Sequence, residues 1–172
     1  MHNTERRSKQ IDPFNQSNYS IESLDDEIKA DQTCKVLLKE YHQYLLKNKG
    51  FFPLESGSMA SGADYYLRDF MIDNRRINIF DISPELIYGF AGNWYIVNTL
   101  EPNMVELESI LNGVNHFYSF CAEKKMINLT MAEKVSQACS HHEYYRQRIE
   151  TFNTLSGDGF TTWNNACPLL IS

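Results

Sequence analysis

The stretch Pro102-Asn-Met-Val-Glu-Leu-Glu-Ser-Ile-Leu-Asn-Gly-Val-Asn-His-Phe-Tyr-Ser-Phe-Cys-Ala122 sets the fold class. Leu107, Leu111, Val114, Tyr118 and Cys121 recur in alternating steps of four and three, which aligns apolar side chains along one face of an α-helix. Pro102 marks the start of this helix, because proline lacks the amide hydrogen that a helix interior needs. A stripe this complete makes the segment the expected centre of an all-α core.

Helical signals extend in both directions. Toward the C-terminus, Thr130-Met-Ala-Glu133 reads as a capping box that opens a fifth helix. That helix carries Met131, Val135, Ala138, His142, Tyr145, Ile149 and Phe152 on one line. Toward the N-terminus, Ser83-Pro84-Glu85 predicts a third helix, with a capping hydroxyl, a proline in the first turn and an acid facing the helix dipole. Its inward residues are Leu86, Phe90, Trp94 and Val97. A second helix bears Ala63, Tyr66, Leu67 and Phe70 and ends near Arg75-Arg76. The preceding Ser56-Gly-Ser-Met-Ala-Ser-Gly62 reads as a flexible loop. A first helix, over residues 23–49, aligns Leu37, Leu38, Tyr41, Tyr44 and Leu45 and stops at Gly50. The pattern predicts a single all-α bundle of about five helices over residues 21–153. It is preceded by a polar mobile arm, 1–20, and followed by a tail, 154–172, in which Phe160, Trp163 and Leu169 dock. No repeat or strand pattern is evident.

With 172 residues, 42% of them hydrophobic, the chain has material for one good core. It contains no apolar run long enough for a membrane span and opens without the apolar stretch of a secretory signal, so a cytoplasmic protein is expected. Cys34, Cys121, Cys139 and Cys167 are scattered and are expected to be buried free thiols. The net charge of −6 works against gripping a phosphate backbone, so any nucleic-acid surface has to be a local patch.

The densest polar cluster is Cys139-Ser-His141-His142-Glu143-Tyr-Tyr-Arg146. Cys139 and His142, three apart on one helix, have the spacing of two zinc ligands, with His116 as a third, or of a thiol and its base beside Glu143. His142 nevertheless falls on the apolar line, where a hydrogen-bonded core histidine is the ordinary reading. Phosphate-binding loops need glycines followed by lysine, and neither Ser56 to Gly62 nor Gly157-Asp-Gly159 supplies one. No cofactor or metal is expected, and no catalytic machinery is recognisable. Among the many aromatic residues, Tyr65, Tyr88 and Tyr95 are the ones expected to face outward.

Three stretches in the middle of the chain carry a family resemblance: Tyr65-Tyr-Leu-Arg-Asp-Phe70, Phe80-Asp-Ile-Ser-Pro-Glu-Leu-Ile-Tyr-Gly-Phe90, and Leu111 to Phe120 closing on Lys124-Lys-Met-Ile127. Together they resemble the SAM-like N-terminal core-binding domain of tyrosine recombinases and phage integrases over roughly residues 35–128. The resemblance implies a small helical bundle that contacts DNA, here through Arg68, Arg75, Arg76, Lys124 and Lys125. The sequence departs from that family in two ways. His142 and Arg146 are one residue too far apart for the His-x-x-Arg motif of its catalytic domain, and the 102–122 helix carries no lysine or arginine. The alternative expectation is an acidic helical adaptor whose partner is a protein, such as a second copy joined along the 131–152 helix. Thiol or metal chemistry at Cys139, His142 and Glu143 ranks third.

Overall fold

A computed structural model describes residues 10–167, and every regular element among them is helical. Seven helices build the bundle where the sequence predicts about five. They are α1, Leu24–Lys47; α2, which opens at Pro53–Asp64 and runs unbroken into a wider π-helical stretch, Tyr65–Asn74; and α3, formed by Pro84–Gly89, a π-turn at Phe90–Trp94 and Tyr95–Asn98. Then come α4, Met104–Glu123; α5, Leu129–Cys139; α6, His142–Asn153; and α7, Gly159–Asn165. No helix among the described residues is long and apolar enough to cross a membrane.

Helix α4 lies at the centre, with Leu107, Leu111, Val114, Tyr118 and Cys121 all buried as their spacing predicts. Its closest neighbour is α2. A Cβ built on Gly113 would stand 2.2 Å from the Met59 carbonyl oxygen, and one on Gly62 would stand 2.8 Å from Ile110 Cα. Ser56 to Gly62 is therefore helix rather than flexible loop, because its small side chains let two backbones meet. Small residues that look like a linker in one dimension are a contact surface in three. Tyr41 fastens the same junction by donating its hydroxyl to the Gly113 carbonyl at 2.8 Å.

The π-turn in α3 changes which residues face inward. The extra residue per turn rotates the remainder of the helix by about 100°, so Tyr95 and Ile96 are buried while Val97 turns outward. Tyr95, expected outside, is sealed in with its hydroxyl 2.9 Å from Glu106. Phe70, Phe90 and Trp94 pack together below it, with ring centroids 5.3–5.9 Å apart.

The predicted fifth helix is two helices. Asn128 caps α5 by accepting the Met131 amide at 2.7 Å, so Thr130 sits inside the first turn instead of forming a capping box with Glu133. The break comes at Ser140-His141. In an unbroken helix the Ala138 carbonyl would take the His142 amide; here the buried Tyr145 hydroxyl donates to it at 2.6 Å. Ser140 meanwhile bonds back to the Ser136 carbonyl at 2.8 Å, which also favours a bend. A continuous self-association seam along residues 131–152 is thus absent.

Both flanking segments join the bundle where the structure describes them. Residues 1–9 of the expected arm and Leu169 of the expected tail lie outside the described residues. Tyr19 is fully buried and donates to the Pro13 carbonyl at 2.6 Å, while Phe14 meets Phe120 edge-on. At the other end, Trp163 of α7 is buried over the guanidinium of Arg148, 3.8 Å from the ring centroid. Arg148 is itself buried and donates to the carbonyls of Gly92 and Trp163, tying α6 to α3 and α7. Burial holds its pKa below the usual guanidinium value.

Candidate interaction surface

The first three turns of α2 run against the start of α4. On their outer side Pro53, Leu54, Gly57, Ser58, Ser61 and Tyr65 face Asn103, Val105, Glu106 and Ser109 across an open groove of about 950 Å³. Its floor is small, for the same reason that the helices approach closely beneath it. Its rim is apolar: Leu54 is 86% exposed and Val105 84%, with Phe52 at 80% just before α2 and Leu100 at 97% on the 99–103 connection. These are the four most exposed large apolar side chains described, and each lines the groove or lies within three residues of a lining residue. Scattered surface leucines need no explanation, but a cluster along a concave surface makes the groove the candidate interaction site.

Sequence reasoning did not single these residues out. The signal was present nevertheless: Leu54 and Val105 are apolar yet out of phase with the buried lines of their own helices, so the core does not need them.

The basic residues nominated for DNA are differently disposed. Arg68 is bracketed by Asp31 at 2.8 Å and Asp64 at 3.1 Å, and the bonded Asp31 carboxylate holds its pKa well above the usual value. Arg76 pairs with Glu27 at 3.1 Å. Arg75 lies over the Phe70 ring and Lys124 over Phe120. Arg76 and Lys125 close α2 and α4 in left-handed conformations, at φ +55° and +59°. Two of the three arginines are therefore already matched by carboxylates, and the two lysines belong to a different helix end.

The Cys139 cluster is also rearranged. The break at Ser140-His141 separates Cys139 from His142, which leaves the core and approaches Glu108 at 3.6 Å. His141 meets the Tyr88 hydroxyl at 3.1 Å, and His116 bonds the Asn112 carbonyl. Cys139 and His142 still border one polar cleft of about 480 Å³. Burial pushes the Cys139 thiol up to about 12, opposite to the activation of a nucleophilic cysteine. No group of three or more His, Cys, Asp or Glu side chains among the described residues could hold a metal ion. Compared with protein-family models, curated proteins and solved structures, the chain matches none of them.

Proposed function

We propose that this chain is a non-catalytic protein-interaction module that receives a helix of a partner protein in the groove between α2 and α4. One observation carries this reading: the four most exposed large apolar residues among those described, Phe52, Leu54, Leu100 and Val105, gather at a groove with a small-residue floor. Small residues let a third helix approach closely, as α2 and α4 do to each other, and the apolar rim supplies the driving force. Burying a leucine or valine side chain contributes about 1.5–3 kcal/mol, so a few such contacts support a micromolar complex once association entropy is met. DNA contact through Arg68, Arg75, Arg76, Lys124 and Lys125 is the weaker reading, because Arg68 and Arg76 are already engaged by acids.

The test places a photo-crosslinking amino acid at position 54, at position 105 and, as a control on α1 outside the groove, at position 39. The expected result is a discrete protein adduct from 54 and 105 but not from 39, and tenfold weaker binding of the purified partner to Leu54→Ser/Val105→Ser. Equal labelling from all three positions, together with salt-sensitive DNA retention lost in Arg75→Glu/Arg76→Glu, overturns it.

A further inference from the structure

The groove selects its occupant by charge as well as by shape. From Gly50 to Leu67, and again from Ile77 to Glu123, the chain contains no lysine or arginine. The start of α2, all of α3 and all of α4 therefore contribute carboxylates and no lysine or arginine of their own. Glu106 lines the groove, Glu55 stands exposed on the first turn of α2, and Glu101 stands exposed just before α4. Several acids elsewhere are matched, Asp31 and Asp64 by Arg68, Glu27 by Arg76, Glu108 by Arg146 and Glu123 by Lys49, whereas the groove has three unpaired acids around an apolar rim. Among the described residues none of Glu55, Glu101 and Glu106 forms an ion pair, and Glu106 accepts only from the neutral Tyr95 hydroxyl.

The shape sets the length. From Leu54 to Tyr65 the α2 side of the groove spans roughly 17 Å at about 1.5 Å per residue, or three helical turns. A Cβ built on Gly57 meets nothing within 4 Å, so the floor is open to an incoming side chain.

Building on the reading above, we infer that the occupant is a basic amphipathic helix of a partner protein, about three turns long. Its apolar side chains lie between Leu54 and Val105, and its flanking lysines or arginines meet Glu55, Glu101 and Glu106. Charge decides against the other occupants. A second copy seated face to face through an isologous contact brings the same carboxylates together, and an anionic membrane surface or DNA is repelled by them.

The experiment selects from a displayed library of helical peptides on the full chain, with counter-selection on Leu54→Ser/Val105→Ser, which removes the rim without altering charge. Circular dichroism melts confirm that the variants are folded, and sedimentation of the chain alone is recorded in parallel. The recovered peptides are expected to be net positive and to bind about tenfold more weakly to Glu101→Gln/Glu106→Gln. A comparable loss is expected between about 50 and 500 mM salt, as the screening length falls from about 14 Å to about 4 Å. Groove-dependent peptides that are neutral or acidic, or that ignore the Glu→Gln changes, overturn the charge inference and leave the groove reading standing. No peptide dependent on Leu54 and Val105 overturns both. A dimer that Leu54→Ser/Val105→Ser dissociates makes the occupant a second copy and overturns the inference of a basic partner.

Discussion

Replacing Gly113 by alanine drives a methyl group into the Met59 carbonyl. The new carbon would stand 2.2 Å from that oxygen and 3.0 Å from the carbonyl carbon, about 1 Å short of the roughly 3.3 Å at which carbon and carbonyl oxygen come to rest. Both obstacles are backbone, so no rotamer change relieves the clash and α2 must move away from α4. Overpacking of this kind costs about 1–3 kcal/mol, and a rigid contact at the bundle's tightest junction lies at the upper end. The shift also strains the Tyr41 bond to the Gly113 carbonyl. Alanine returns about 0.5–1 kcal/mol through its better helix propensity. The expected net loss is about 2 kcal/mol, or a melting temperature roughly 4–8 °C lower for a domain of this size. Urea unfolding followed by circular dichroism measures it, with Gly57→Ala as the matched control. Gly57 is helical with open space around it, so alanine there should stabilise by about 0.5–1 kcal/mol. A Gly113→Ala protein as stable as the parent, or equal losses at both sites, refutes the close-approach argument.

The packing dictates three other outcomes. Trp163→Ala removes the ring over Arg148 and should weaken the docking of α7 by about 3 kcal/mol; hydrogen exchange should then lose protection at residues 159–165 while α4 keeps its own. Burial pushes the thiols of Cys34, Cys121 and Cys139 upward, Cys139 to about 12, so all three stay protonated at neutral pH. A thiol reagent at pH 7.5 should leave them unmodified until denaturant is added, and rapid native labelling of Cys139 would contradict this. Lys125 holds a left-handed conformation at the end of α4, which costs a residue with a Cβ about 1 kcal/mol. Lys125→Gly should raise unfolding free energy by about that amount, and an unchanged urea midpoint would count against the strain.

The parts of the fold that the sequence disclosed are those in which one helix faces the core alone. Leu37, Leu38, Tyr41, Tyr44 and Leu45 on α1, and Leu107 through Cys121 on α4, are buried in the order their spacing predicts, because burial of a face and periodicity are the same fact. Ser56 to Gly62 was opaque, since a helix chosen for close approach to another backbone carries glycine and serine in place of an apolar stripe. The π-turn at Phe90–Trp94 was opaque because its one glycine, Gly92, reads equally well as a close-packing residue of a regular helix, here against Tyr144, and nothing else in the segment marks the shift of phase. The break at Ser140-His141 lay hidden within an intact four-and-three pattern, as it depends on the hydroxyl of Tyr145, beyond the break, donating to the Ala138 carbonyl. The groove was illegible for a related reason. Leu54 and Val105 come together only when α2 is recognised as helical from Pro53, and without that turn the rim is two unrelated exposed residues.

If the α2/α4 groove, and not the basic residues of α2, is the binding face, substitutions in the groove alone weaken the partner complex. The direct measurement is the affinity of the partner crosslinked from position 54, determined by calorimetry against the parent chain, Leu54→Ser/Val105→Ser and Arg75→Glu/Arg76→Glu. A partner seated in the groove binds the first variant at least tenfold more weakly and the second with unchanged affinity. Full affinity in the groove variant, with loss in the arginine variant, would contradict it.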